Sequence, residues 1–246
     1  MSNFIRYIHA EMIKSKHSPI LLIHLVFPLI GALVFAGYFH ISGWKPEENV
    51  SAFLQTVAIL FPFLIGIVVG LVIQLENQAG HFQQMLGDLH RCTIYISKIA
   101  YLLLLAAMSV ILCFGIFYAL YPVLPLEIYI KAFGYLLLSV FPIYLLSLLL
   151  GLMFGKSVTM GLGIVGSLIA ALMLTGLGDN VWQFIPWVWG VRFMDYCIVK
   201  YTNPNVLVYI STSFKMGLIL IMSFAIALAV FSLLWFNYWE GTKENE

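Results

Sequence analysis

The chain has 246 residues, of which 62% are hydrophobic and only 9% charged, with a mean hydropathy of +1.00. That leaves too little polar surface to coat a soluble particle of this size, which excludes a soluble enzyme or binding domain and makes a bilayer the solvent. A net charge of +1 without a basic face removes the case for nucleic acid. Cys92, Cys113 and Cys197 are too scattered for a metal or redox motif.

Residues 1–19 place Phe4, Ile5, Ile8 and Met12 at helical spacing, with Arg6, Glu11 and Lys14 elsewhere around the turn. This predicts a short cytoplasmic surface helix, the alternative being a solvated basic leader. Six apolar runs follow, at 20–39, 52–75, 99–120, 132–154, 158–177 and 217–236. Each reaches the roughly 20 residues a spanning helix needs. None contains Asp, Glu, Lys or Arg, any of which costs roughly 2.5 to 3.5 kcal/mol at mid-helix. The runs are too long and too uniform for the alternating strands of a β-barrel, and the first exceeds the roughly 7 to 15 residues of a signal-peptide core. The expectation is one all-α membrane domain over 1–246 with six transmembrane helices. Arg6, Lys14, Lys16, Arg91, Lys98, Lys156 and Lys243 would lie inside, against Lys45, Lys131, Arg192, Lys200 and Lys215 outside. This bias places both termini in the cytoplasm.

Three polar or aromatic stretches interrupt the apolar runs. The first connector, GWKPEENVS, is a turn-rich loop too short to fold alone. From Ala79, the residues Phe82, Met85, Leu86 and Leu89 recur at steps of three and four while His81, Gln84 and Asp88 take the other side. That periodicity predicts an amphipathic cytoplasmic helix over 76–91, with Glu76 at its favourable N-terminus. Its apolar face meets either a partner or lipid. Residues 178–206 crowd Trp182, Phe184, Trp187, Trp189, Phe193 and Tyr196 around Pro186, predicting an outer interfacial or re-entrant element that anchors the chain or also touches an amphipathic substrate. Gly66 with Gly70, and Gly151 with Gly155, have the spacing of close helix approach.

Catalytic motifs fail on inspection. GLMFGKS has three residues where a phosphate loop has four, and it ends an apolar run. GLGD, ending in Asp179, lacks the second intramembrane Asp that an aspartyl protease requires. No HExxH occurs, His24 stands alone within a span, and no span holds the carboxylate of an ion-coupled carrier.

Glu76, then Gly80 and Phe82, then Met85 and Leu86, then Arg91 and finally Lys98 form a pattern that resembles the permeases of type-2 ABC exporters. Asp88, Leu89 and His90 replace the Pro-containing element usual there. The run ENQAGHFQQMLG and the length look most like the lantibiotic immunity subfamily. The resemblance implies a permease of a bacterial cell membrane that binds no cofactor itself, with ATP hydrolysed on a separate cytoplasmic ATPase. Glu76, Gly80, Phe82, Met85, Leu86 and Arg91 would couple to that subunit. It further implies a second permease copy or a sister permease, contact with membrane lipid, and a lantibiotic-type peptide as substrate, met by the aromatic segment. An exporter of another lipid or drug, and a scaffold or sensor subunit without transport, are the alternatives.

Overall fold

The structure, a computed structural model, describes residues 3–16, 18–80, 82–203, 205 and 207–241. His81 and Lys243, used above for helix polarity and orientation, lie outside the described residues. The described residues form nine α-helices and three short 3₁₀ turns. α1 (Asn3–Ser15) precedes five long apolar helices: α2 (Pro19–Ile41), α3 (Pro46–Gln78), α5 (Arg91–Leu120), α6 (Leu126–Phe154) and α9 (Leu207–Tyr238). Ser18 caps α2 through a bond from the Ile20 amide, with Pro19 at the first helical position, where its missing N–H costs nothing.

The fifth apolar run is shorter than its composition suggests. α7 (Lys156–Leu172) has 17 residues, about 25 Å at 1.5 Å per residue. It ends because Arg192 turns back onto it: Nε and Nη2 donate to the Met173 carbonyl at 3.0 and 2.7 Å, and Nη2 to the Thr175 carbonyl at 2.9 Å. A cation at the last orphan carbonyls stops the helix there.

α3 is the spine, packing on α7, α8 (Trp189–Thr202), α6 and α2. Its contact with α7 is backbone to backbone. A Cβ at Gly66 would lie 2.6 Å from the Thr159 carbonyl oxygen and 2.9 Å from Gly163 Cα, and one at Gly163 would lie 2.8 Å from the Pro62 carbonyl oxygen. Next to Pro62, inside α3, the Phe63 amide donates to Ser167 Oγ (2.9 Å), a tie from α3 to α7. Gly66 and Gly70 thus serve the close approach their spacing suggested. The lone span histidine, His24, is buried, and its Nδ1 donates to the Ile20 carbonyl at 2.7 Å.

One expectation needs correction. No single helix covers 76–91: α3 runs on to Gln78, one turn α4 (Gln83–Leu86) follows, and α5 starts at Arg91. Gly80 (φ 115°) and Phe82 (φ 64°) occupy the left-handed region, which no α-helix passes through. Glu76 therefore lies in the last turn of α3, not at a helix N-terminus. The inward face of α1 is polar. Glu11 and Ser15 are buried, whereas Ile5 and Met12 are about half exposed.

Candidate functional site

At one end of the bundle three chain segments share a buried set of charges. Lys98, two turns into α5, is fully enclosed. Its Nζ donates to Glu11 Oε2 and to Glu76 Oε1, both at 2.6 Å. Lys14 Nζ donates to the same Glu76 oxygen at 2.8 Å and lies 3.4 Å from Glu11 Oε1. Two carboxylates and two ammonium groups cancel, and the Ser15 and Tyr101 hydroxyls are hydrogen-bonded beside them. Such a cluster gains little over apolar packing, but losing one member strands a buried charge. Its physical effect is register: α1, the end of α3 and the start of α5 are locked together.

The apolar period of α1 does not point to Glu11 and Lys14 as site residues. Tyr7, Glu11, Lys14 and Ser15 recur at steps of four, three and one, which puts them on one helical face.

Beyond this cluster the chain makes a small tip between Ala79 and His90. Phe82 is strained at positive φ, roughly 1 kcal/mol for an L-residue. The ring is held edge-on to Trp239 at 5.3 Å. Met85 is buried, and Arg91 clamps the turn: Nη2 donates to the Leu86 carbonyl (2.7 Å) and Nη1 to the Trp239 carbonyl (3.1 Å). Asp88 accepts from the Tyr7 hydroxyl (2.6 Å) and the His90 amide (2.8 Å). The Tyr7 bond, then the His90 amide, hold the Asp88 carboxyl below its ordinary range. A carboxylate with a depressed folded pKa contributes stability above its unfolded value and loses it as pH falls through the folded one. Acidification below about pH 4 is therefore expected to release the α1 contact, read as faster proteolysis near Tyr7, with Asp88→Asn insensitive to the same step.

Of the six expected coupling residues, Glu76, Phe82 and Met85 are buried braces, and Arg91 ties the tip to α9. Gly80 makes the turn and Leu86 is half-buried. The exposed surface belongs to Gln83, Gln84, Leu89 and His90, with Leu89 at 97% exposure. Sequence reasoning set Leu89 on the same apolar face as Phe82. The broken helix turns it outward.

The aromatic segment lies toward the other end of α3. Its residues fold as 3₁₀ turns at Gly176–Gly178, Trp182–Phe184 and Pro186–Val188, followed by α8. Several rings act as packing keys. Trp182 sits where a Gly217 Cβ would be, at 2.6 Å, and Trp187 where a Gly166 Cβ would be, at 2.2 Å. Trp189 and Phe193 are buried, Trp189 Nε1 donating to the Gln183 carbonyl at 2.8 Å. Phe184 is 62% exposed, while Trp187 and Tyr196 retain partial exposure.

A cleft of about 350 Å³ opens beside them, lined by Asp179, Trp182, Arg192, Asp195, Tyr196 and Phe214. Arg192 Nη1 pairs with Asp179 at 2.8 Å, and Gln55 Nε2 donates to Asp195 at 3.0 Å. Burial pushes the Asp195 carboxyl up, against the opposing pull of Arg192 and the Gln55 bond. A carboxyl with a raised folded pKa contributes stability at low pH that is lost as pH rises through that value. Asp195→Asn keeps an oxygen for Gln55 and removes the desolvated charge. The melting temperature in detergent at neutral pH should be unchanged or higher, and a marked fall would contradict this balance.

Long apolar helices, a spine packed through glycines and a polar tip at one end define a multi-pass helical membrane protein. Residues 7–172 match the family described as ABC-2 family transporter protein, and the chain belongs to that family. It is accordingly a membrane permease of ABC transporters, a transport component whose membership implies a cytoplasmic ABC ATPase as partner. No curated protein matches the chain closely enough to count as a relative.

Proposed function

We propose that this chain is the permease subunit of an exporter that removes a lantibiotic-type peptide from a bacterial cell membrane and so protects the producing cell. In this reading α7 completes six spans, both termini are cytoplasmic, and the tip around Leu89 receives the ATPase. The observation that carries the coupling role is that tip. An almost fully exposed Leu flanked by Gln83, Gln84 and His90 stands on a turn braced from α1, α5 and the end of α9. An exposed apolar side chain on a turn braced from three helices offers a soluble partner apolar area to bury.

The substrate reading rests on the resemblance, with the aromatic cleft as support. Phe184 and Tyr196 offer ring surface, and the largely exposed Asp179 offers a carboxylate, to a peptide lying in the outer leaflet. An apolar cleft of about 110 Å³ among α2, α3 and α5, lined by Phe27, Phe35, Phe53, Leu60 and Leu64, favours the second reading, export of a lipid or drug.

The test of coupling is co-purification with the cytoplasmic ABC ATPase subunit that family membership implies. Leu89→Glu is expected to abolish its retention with the permease still monodisperse, and undiminished retention would remove the assignment. For the substrate, cells carrying the complete set should survive added lantibiotic, and equal sensitivity with and without it would refute immunity. Peptide-stimulated ATP hydrolysis separates a transporter from a scaffold.

A further inference from the structure

The exposed side of α1 has a composition that its neighbours do not explain. Ile5, His9, Met12, Ile13 and Lys16 follow one another at steps of four, three, one and three, one stripe of a helix, and all five are exposed. The only acid of α1, Glu11, is turned inward onto Lys98, and Lys14 is engaged with Glu11 and Glu76. What remains outside is apolar surface with positive charge, and among the described residues no carboxylate pairs with Lys16.

Beneath this stripe the structure leaves a groove. It has a volume of about 490 Å³, roofed by His9, Met12, Ile13 and Lys16 and floored by Leu21 of α2 and by Tyr101, Leu104, Leu105 and Met108 of α5. From Tyr101 to Met108 the floor runs seven residues along α5, about 10 Å, entirely apolar but for the Tyr101 hydroxyl, which is taken by Ser15. The polar groups stand at the α1 rim and the apolar ones continue along α5, in the direction of the bilayer interior.

We infer that this groove is a site for one anionic phospholipid of the leaflet in which α1 lies. An acyl chain fills the Leu104 to Met108 floor, while the lipid phosphate meets the Lys16 ammonium and a hydrogen bond from the His9 ring. Charge complementarity selects the headgroup: a Lys at an anionic lipid surface is attracted, and a zwitterionic headgroup offers no net charge to it. The groove walls select a chain by apolar contact alone. Since the same helix carries Glu11 into the Lys98 cluster, lipid bound here would stiffen the mount of the coupling tip. This inference does not depend on which substrate is exported.

The full chain in mild detergent, offered dioleoyl phosphatidylglycerol or dioleoyl phosphatidylcholine at equal concentration, would be read by native mass spectrometry for retained lipid. Wild type should prefer the phosphatidylglycerol, and Lys16→Gln should cut that preference about fivefold, the equivalent of one Lys at an anionic surface, with Lys16→Arg restoring it. Leu104→Trp, which fills the floor, should reduce retention of both lipids. Elution at the wild-type volume shows each variant folded. An unchanged preference in Lys16→Gln, or unchanged retention in Leu104→Trp, would overturn the site.

Discussion

Lys98→Met is expected to be among the most damaging single substitutions in this chain, lowering stability by about 3 to 5 kcal/mol, the usual cost of stranding a buried charge. Lys98 is the only member of the cluster with no exposure, and it holds Glu11 and Glu76 at once. Removing it leaves two buried carboxylates with Lys14 alone, which is partly exposed. Adding Glu76→Gln to Lys98→Met leaves one acid, Glu11, against one base, Lys14. The double variant should therefore recover part of the loss, a positive coupling that separates charge balance from lost packing. Melting temperatures in detergent, followed by fluorescence size-exclusion, give the measurement. A double variant no more stable than Lys98→Met would mean that the charges are not the reason for the cluster.

The second large effect concerns the α3–α7 contact. Gly66→Ala forces a methyl group into the Thr159 carbonyl and Gly163 Cα, both backbone atoms that no side-chain rotation can clear. Overpacking of this kind costs typically 1 to 3 kcal/mol. Gly163→Ala meets the reciprocal surfaces and should behave alike, whereas Gly31→Ala, with nothing within 4 Å of its Cβ, should stay within about 0.5 kcal/mol of wild type. Equal melting temperatures for Gly66→Ala and Gly31→Ala would show that the helices separate here at no cost.

The sequence made the membrane class and the long helices legible because apolar runs without a charge have one stable solution in lipid. Residues 20–39, 52–75, 99–120, 132–154 and 217–236 all fall within long helices. The run 158–177 was overextended because hydropathy cannot register Arg192, far along the chain, closing α7 at Met173. The period that predicts one helix over 76–91 is interrupted by the backbone. Gly80 signals a break, but nothing in Phe82 announces a left-handed conformation, which its packing on Trp239 sustains. Glu11 was hidden for another reason. The apolar period marks the outer stripe of α1, and nothing in it shows that Lys98 and Glu76 make the polar face the inner one. The aromatic rings were visible, but whether a ring is a key or a platform depends on glycine notches in other helices, Gly166 and Gly217.

The most direct test of the account is site-specific cross-linking of the tip to the ATPase. In a variant lacking Cys92, Cys113 and Cys197, single cysteines are placed at Leu89, at buried Met85 and at exposed Trp44 on the opposite end. Each is assembled with the ATPase carrying a cysteine-reactive photo-linker. The account predicts a covalent permease–ATPase product from Leu89→Cys and none from Met85→Cys or Trp44→Cys. A product from Trp44→Cys with none from Leu89→Cys would contradict both the coupling role of the tip and the orientation.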